Sequence, residues 1–399
     1  MSDWSLWLSV LLLVPVLGGA VYSCLCLGAA LVLVRRPRVA ALERWPPVSI
    51  LKPLHGLEKD LAANLRSACT LDYPDYQVVL SLQRLDDPAL PLARAIAKEF
   101  GPERVTVAVE DSQPVVNGKI QNLVIGFKVA CHDVIVISDS DVRLRPDYLK
   151  TIVAPLADQA VGGVCTLYRA TRAETWFEQL ELLTLNGDFT PNLVFAEVTG
   201  AADFCLGATT AVRRSVLEAI GGLGALADYL VEDYEMGRRI RAAGFKMAIV
   251  PYFVDMMVDL KRPADWWKHQ VYWDQNTRAA RPIGFLATAL TRSVPFAALL
   301  ALVRLFDPFS LAVLAAAVLV RVITSAIILR ILVEDREGLH ALWLLPFRDL
   351  SGLVSWGLAL GKKTFIWRGI EFGLLPDGRI VPRAFGDQRA LPLGTPPGA

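Results

Sequence analysis

Two textures divide the chain. Long apolar runs stand near both ends, and between them short β-branched runs alternate with helical spacing. The first apolar run, Leu6 to Val34 ("LWLSVLLLVPVLGGAVYSCLCLGAALVLV"), passes about 29 positions without a charge. A helix needs roughly 20 such residues to cross a bilayer core. No basic stretch precedes the run, and it outlasts the apolar part of a secretory signal, so it predicts an uncleaved anchor. Arg35, Arg36 and Arg38 follow it while only Asp3 comes before. By the positive-inside rule, the residues after Arg35 are expected in the cytoplasm.

From Trp45 to Ala280 the pattern shortens. "VSILKPL", "YQVVLSLQ", "RVTVAVE" and "DVIVISD" predict strands, and "PALPLARAIAKEF" spaces its apolar residues as an amphipathic helix does. Val134 to Ile137 is β-branched without polar alternation, so both faces of that strand are expected to be covered. Strand, helix, strand alternation predicts an α/β domain with a mostly parallel sheet between helices. At roughly 235 residues the block can bury one substantial core.

Apolar texture returns in three segments, Phe285 to Val303, Phe309 to Val333 and Leu339 to Leu360. The middle one is the strongest candidate span. The outer two carry Arg292 and the pair Arg348 and Asp349, which also suits an interfacial or re-entrant course. Arg321 lies mid-run in the middle segment, so it must be paired or face a polar cavity, with a neighbouring carboxylate or a lipid headgroup as the expected partner. The tail after Pro376 is rich in proline and glycine and is expected to be poorly ordered. The division that follows is an anchor over 1–38, an α/β domain over 39–282, membrane segments over 283–365 and a tail over 366–399.

Composition sharpens this in three ways. Hydrophobic residues make up 54% of the 399 positions and charged ones only 20%, too apolar for an ordinary soluble enzyme. Net charge is +1, from 41 basic and 40 acidic residues, which gives nucleic acid no electrostatic footing. The six cysteines form no C-x-x-C pair and the four histidines no zinc spacing, so the cysteines read as reduced and structural, with Cys69, Cys131, Cys165 and Cys205 as small buried hydrophobes.

Chemistry then rests on acidic residues at predicted strand ends. Asp86 and Asp87 follow one strand, Asp139 and Asp141 follow another, and Glu232 and Asp233 open a helical pattern. No G-x-G-x-x-G, Walker loop, G-x-S-x-G or H-E-x-x-H is present. In an open α/β sheet, ligands bind beyond the carboxyl ends of the strands, where Asp87 and Asp139 could converge. Asp139 and Asp141, one residue apart, suit Mg²⁺ or Mn²⁺ holding substrate phosphates, and a further carboxylate could serve as general base. Each group also has a plainer reading. A D-x-D arises by chance about once in a chain of this size. Asp86-Asp87-Pro88 suits a turn, and Glu232 with Asp233 suits a first helical turn.

Taken in order, "VSILKPLHG", "LDYPDYQVVLSLQRLDDPA", "NGKIQNL", "ISDSDVRLRPDYL", "FAEVTGAADFCLGATTAVRRSVLEAIGGL" and "YLVEDY" make the chain resemble the ceramide glucosyltransferases and their hopanoid-glycosylating bacterial relatives. The resemblance implies a GT-A α/β fold with N-terminal and C-terminal transmembrane helices, anchored in the inner membrane with its catalytic domain cytoplasmic. It implies inverting transfer of one sugar from a UDP-sugar to a lipid hydroxyl, assisted by a divalent metal, Mg²⁺ or Mn²⁺. By position, Asp87 would hold the nucleotide, with Lys119 and Asn122 beside it. Asp139 would meet the metal and diphosphate, Asp141 would complete the metal pair, and Asp233 would deprotonate the acceptor. The family's (Q/R)-x-x-R-W signature falls on His269, Gln270, Val271, Tyr272 and Trp273, in the acceptor and diphosphate region. Trp273 is kept, but Tyr272 replaces the arginine, and one phenolic hydrogen bond does not reproduce a bidentate charged contact. Arg278 or Lys268 is a nearby substitute, and the plainer reading of Trp266, Trp267, Tyr272 and Trp273 is an interfacial aromatic belt. A processive polysaccharide synthase and a catalytically silent lipid- or nucleotide-binding membrane protein are the alternatives.

Overall fold

The β-branched runs become strands where the pattern places them. In this computed structural model, which describes residues 3–36, 41–111, 116–202, 204–367, 370–375 and 377–383, they are β1 (Val48–Pro53), β2 (Tyr76–Leu82), β3 (Val105–Val109) and β4 (Val134–Ser138). Arg38, the 38/39 boundary and the tail beyond 383 lie outside the described residues. Four more strands, β5 (Val142–Arg143), β6 (Val161–Thr171), β7 (Thr209–Arg213) and β8 (Lys246–Met257), complete a sheet in the order β3-β2-β1-β4-β7-β6-β8-β5. β1 runs parallel to β2 and β4, and β2 to β3. β7 enters antiparallel to β4 and β6, so the sheet is mixed beyond its parallel half.

Every residue of β1, β2 and β4 is buried, whereas the edge strand β3 is only partly so, as expected when helices cover both faces of the centre. Fully buried side chains such as Ile50, Leu51, Val79 and Ile135 each contribute about 1.5–3 kcal/mol of transfer free energy. The helix over Leu90–Phe100 forms where its spacing predicted and packs Leu90, Ala93 and Ile96 inward. The Gly118–Val129 helix opens on Asn117, whose side-chain oxygen accepts from the backbone N–H groups of Lys119 and Ile120.

Among the described residues, two helices are long and apolar enough to cross a membrane, Trp4–Val34 and Pro308–Val333. The first C-terminal segment is instead a pair, Pro282–Thr291 and Ser293–Val303, bent by 56° at Arg292. The last divides into Arg336–His340, a 3₁₀ turn and Leu345–Gly361, with Arg348 and Asp349 buried. The N-terminal helix crosses the bend at Gly19, where a Cβ would sit 2.5 Å from the Ser293 nitrogen, so only glycine lets the two backbones meet.

Two expectations need correction. The proline- and glycine-rich tail is structured up to Arg383. β9 (Thr364–Trp367), β10 (Ile370–Leu374) and β11 (Ile380–Arg383) form an antiparallel meander, because Phe365, Phe372 and Ile380 pack with Leu230. Cys131 is exposed rather than a buried hydrophobe, although all six cysteines are free as expected.

Candidate active site

Three parallel neighbours end together. β1 leads into His55 and Gly56, β2 into Asp87, and β4 directly into Asp139. The Asp87 carboxylate accepts from the Gly56 and Ala89 backbone N–H groups at 2.9 and 2.8 Å and lies 3.2 Å from His55 Nδ1. It is therefore fixed on one oxygen, with the other turned to the histidine.

Lys119, set in a first helical turn by the Asn117 cap, reaches across to Asp139 (Nζ–Oδ1 2.8 Å) and to Glu232 (3.2 Å). Its Nζ also lies 3.4 Å from the Gly207 carbonyl oxygen. Burial opposes the ammonium charge, but Asp139 and Glu232 outweigh it and hold the lysine protonated well above its ordinary range. Asp233, next to Glu232 at the start of the Glu232–Ala242 helix, lies against Gly207: a Cβ there would sit 3.0 Å from Asp233 Oδ2. Burial, reinforced by the charge of Glu232, pushes the Asp233 carboxyl up to about 7. Burial and the charge of Asp139 likewise push Asp141 up to about 7.

The structure thus brings Asp139, Lys119 and Asp233 together, with Asp141 two residues further along the same loop. Asp141 Oδ1 is buried and accepts no hydrogen bond. An unsatisfied hard oxygen beside a second carboxylate fits Mg²⁺ or Mn²⁺, and when bound such an ion would neutralise a leaving diphosphate. Among the described residues no three His, Cys, Asp or Glu side chains cluster to enclose an ion, so water and phosphate oxygens would complete its shell. Asn122 is buried and ties the helix to β1's end through Leu54 O at 2.7 Å.

The fourth signature lies on the Pro263–Ala280 helix and splits between two environments. Tyr272 packs on Phe365, their rings 5.5 Å apart, and burial and the charge of Glu232 push its hydroxyl up to about 12. It therefore sits within the field of the acidic cluster. Gln270 is buried and donates to Glu181 at 2.7 Å, while its own oxygen accepts from Thr184 at 3.0 Å. His269 lies 2.8 Å from Glu181 and 2.5 Å from Trp273 Nε1. A membrane-facing aromatic belt does not describe this helix, since Trp266 is buried and Tyr272 packs in a core.

Two residues escape sequence reasoning. Lys52 is wholly buried in β1 and donates to Asp139 O (2.8 Å), Val142 O (3.1 Å) and Ser138 Oγ (3.2 Å), which fixes the loop carrying both aspartates. A lysine inside an otherwise apolar strand is the signal that could have revealed it. Gly207, the other, is marked by its contacts with Asp233 and Lys119.

The sequence profile of glycosyl transferase family 21 matches residues 11–380. Ceramide glucosyltransferases 1 and 3 of Caenorhabditis elegans are 23% and 26% identical over 205 and 210 residues, covering 51% of this chain and 44% of each relative. The chain thus spans about half the length of these relatives. Among solved structures, a mannosyltransferase from Pyrobaculum calidifontis in complex with GDP-Man and Mn²⁺ superposes with a TM-score of 0.54 at 19% identity, over 89% of this chain and 98% of that one. The fold is the expected GT-A α/β fold.

Proposed function

The chain belongs to glycosyl transferase family 21, and on that premise we propose that it transfers a single sugar from a nucleotide-sugar to a lipid hydroxyl, with inversion. The donor is UDP-glucose or a related UDP-hexose, and the acceptor is ceramide or a ceramide-like or hopanoid lipid. The observation that carries this reading is the pair of carboxyls on either side of Lys119, with Asp233 lifted to about 7. A carboxylate with that proton affinity is matched to removing a hydroxyl proton near neutral pH.

In this reading Asp87 holds the nucleotide and Asp139 with Asp141 holds the divalent metal. Lys119 supplies fixed positive charge beside the diphosphate, and Asn122 secures the helix that carries it. Asp233 takes the acceptor's proton on the opposite side, as in-line displacement requires. Tyr272 borders the donor, while His269, Gln270 and Trp273 shape the acceptor side. The Leu6–Val34 run anchors the α/β domain at the cytoplasmic face of the inner membrane, and the segments over 283–365 carry the acceptor.

Membranes holding the full chain, incubated with labelled UDP-sugars and extracted for lipid, test this. A single labelled glycolipid, lost in Asp233→Asn with UDP binding retained, is expected. Nucleotide binding without labelled lipid from any donor would instead favour a silent binding protein.

A further inference from the structure

A cavity of about 470 Å³ opens where the N-terminal helix, the bent Pro282–Val303 pair, the Pro308–Ile328 helix and the Leu345–Gly361 helix meet the Pro263–Ala280 helix. Ala287, Thr288 and Thr291 of the bent pair line it, whereas Ile283, Leu286 and Leu290 of the same segment point outward and are exposed. One wall reaches Phe204, whose ring lies 6.2 Å from that of Tyr234, the residue after Asp233. The cavity therefore connects a membrane-facing flank with the neighbourhood of the proposed base.

Its charges are unevenly satisfied. Arg321 contacts Asp349 at 2.9 Å and Asp188 at 3.4 Å, and Arg348 contacts Asp188 at 2.6 Å and Asp349 at 3.1 Å. These two cations and two anions close on one another. Arg292 and Asp274 stand outside that square, 3.9 Å apart at their nearest. Arg292 Nε is buried and has no hydrogen-bond partner, and Asp274 is held by one side chain, Ser355, at 2.6 Å. A buried guanidinium N–H left unpaired costs about 1–3 kcal/mol, so the site gains from any acceptor that reaches it. Arg281, at the rim, donates to Ala201 O and lies over the rings of Phe204 and Tyr234.

The unfilled positions specify chemistry. Arg292 Nε offers a donor, and the carboxylate of Asp274 offers an acceptor. Asp188, Asp274 and Asp349 balance Arg292, Arg321 and Arg348, and Arg281 stands apart at the rim on Ala201 O, so little charge is left inside to compensate a phosphate. We propose that Arg292 and Asp274 seat the uncharged polar head of the acceptor lipid, Arg292 donating to a carbonyl or hydroxyl oxygen and Asp274 accepting from an N–H or O–H. This assignment rests on the lipid-acceptor reading above. Both residues position the head and select it; neither touches the reacting atoms.

The test uses the full chain in detergent or nanodiscs and measures direct binding of a fluorescent short-chain N-acyl amino-alcohol lipid, alongside UDP affinity and lipid KM. Arg292→Gln and Asp274→Asn are each expected to weaken lipid binding, and raise its KM, by about tenfold or more, with UDP affinity unchanged. Should Asp274→Asn not fold, Ser355→Ala, which releases that carboxylate, carries the test with a smaller shift in the same direction. Unchanged lipid affinity in folded variants overturns the assignment. So does a fluorescent phosphatidic acid that binds more tightly than the neutral probe and loses affinity in Arg292→Gln. Lipid binding that depends on both residues, without transfer from any UDP-sugar, would uphold the seat and sink the proposed reaction.

Discussion

Charge is buried in two places in this molecule, and the two are solved differently. At the strand ends, Asp139, Asp141, Glu232 and Asp233 outnumber Lys119 and Lys52, and two of the carboxyls are pushed up to about 7. Where the Pro308–Ile328 and Leu345–Gly361 helices meet the turn that carries Asp188, Arg321 and Arg348 meet Asp188 and Asp349 one for one. A cluster with surplus negative charge is poised to take protons or a cation. A balanced square has nothing to gain from either and holds helices in register. The same ingredients thus give an unbalanced cluster in one case and a structural clasp in the other, decided by stoichiometry.

The largest effect should come from the reactive side. Asp233→Asn is expected to lower transfer by about 10²–10⁴-fold in a labelled-lipid assay while UDP affinity holds. Wild-type turnover should fall as pH drops below about 7, because the proposed base must be ionised. Stability has the opposite sign. With its folded value raised from 3.8 to about 7, the ionised carboxyl is what the fold tolerates poorly, so the penalty is absent below pH 4 and complete above pH 7. Asp233→Asn should therefore melt higher than wild type at pH 8 and equal to it near pH 4. Equal melting at both would remove burial as the cause of the raised value. On the clasp side, Arg348→Met leaves Asp188 and Asp349 with half their countercharge and should cost about 3–5 kcal/mol, read as a lowered melting temperature. UDP affinity in whatever remains folded should not move. A donor-affinity loss would mean that the two clusters are coupled.

How far the sequence reached follows the same divide. β1, β2 and β4 were legible as mostly apolar runs that become buried central strands, β3 as a short β-branched run at the edge, and the aspartates after β2 and β4 as charges placed where such runs end. β6 was not: it opens on Val161-Gly162-Gly163, poor strand material alone. A Cβ at Gly162 would sit 2.5 Å from Phe245 and one at Gly163 2.9 Å from Met247, so these glycines answer to packing that only the fold reveals. The meander after Thr364 is of the same kind, since Phe365 gains a core only by meeting Leu230 and Tyr272. Arg321 announced a need for a partner, yet Asp188 lies 133 positions away and nothing local selects it.

Gly207→Ala sharpens the reactive side at smaller scale. Its Cβ would press within 3.0 Å of Asp233 Oδ2 and shift it by a few tenths of an ångström. Transfer should drop by about tenfold, with donor KM little changed, because a base out of line costs turnover more than binding. An unaltered rate would mean that Asp233 has slack, which is hard to reconcile with an in-line role.

The smallest effect separates the two kinds of burial most cleanly. Lys52 is buried beneath the aspartate loop, and burial, opposed by Asp141 and Asp139, lowers its ammonium from 10.5 to about 8. For a base lowered in this way the protonated form is the costly one. The fold therefore bears the cost below pH 8, and it disappears as pH rises towards 10.5. Lys52→Met never bears that cost, but it leaves the carbonyls of Asp139 and Val142 without their donor, a loss of about 1–3 kcal/mol. Near pH 7 the two terms oppose each other and the variant should melt close to wild type. By pH 10 the cost of charge has gone and only the missing hydrogen bonds remain, so wild type should pull ahead. Melting curves for the pair between pH 7 and 10 read this difference directly, since other titrating groups are common to both. If the gap stays constant across that range, Lys52 keeps its proton without strain, and the lysine belongs with the balanced clasp rather than with the carboxylates it supports.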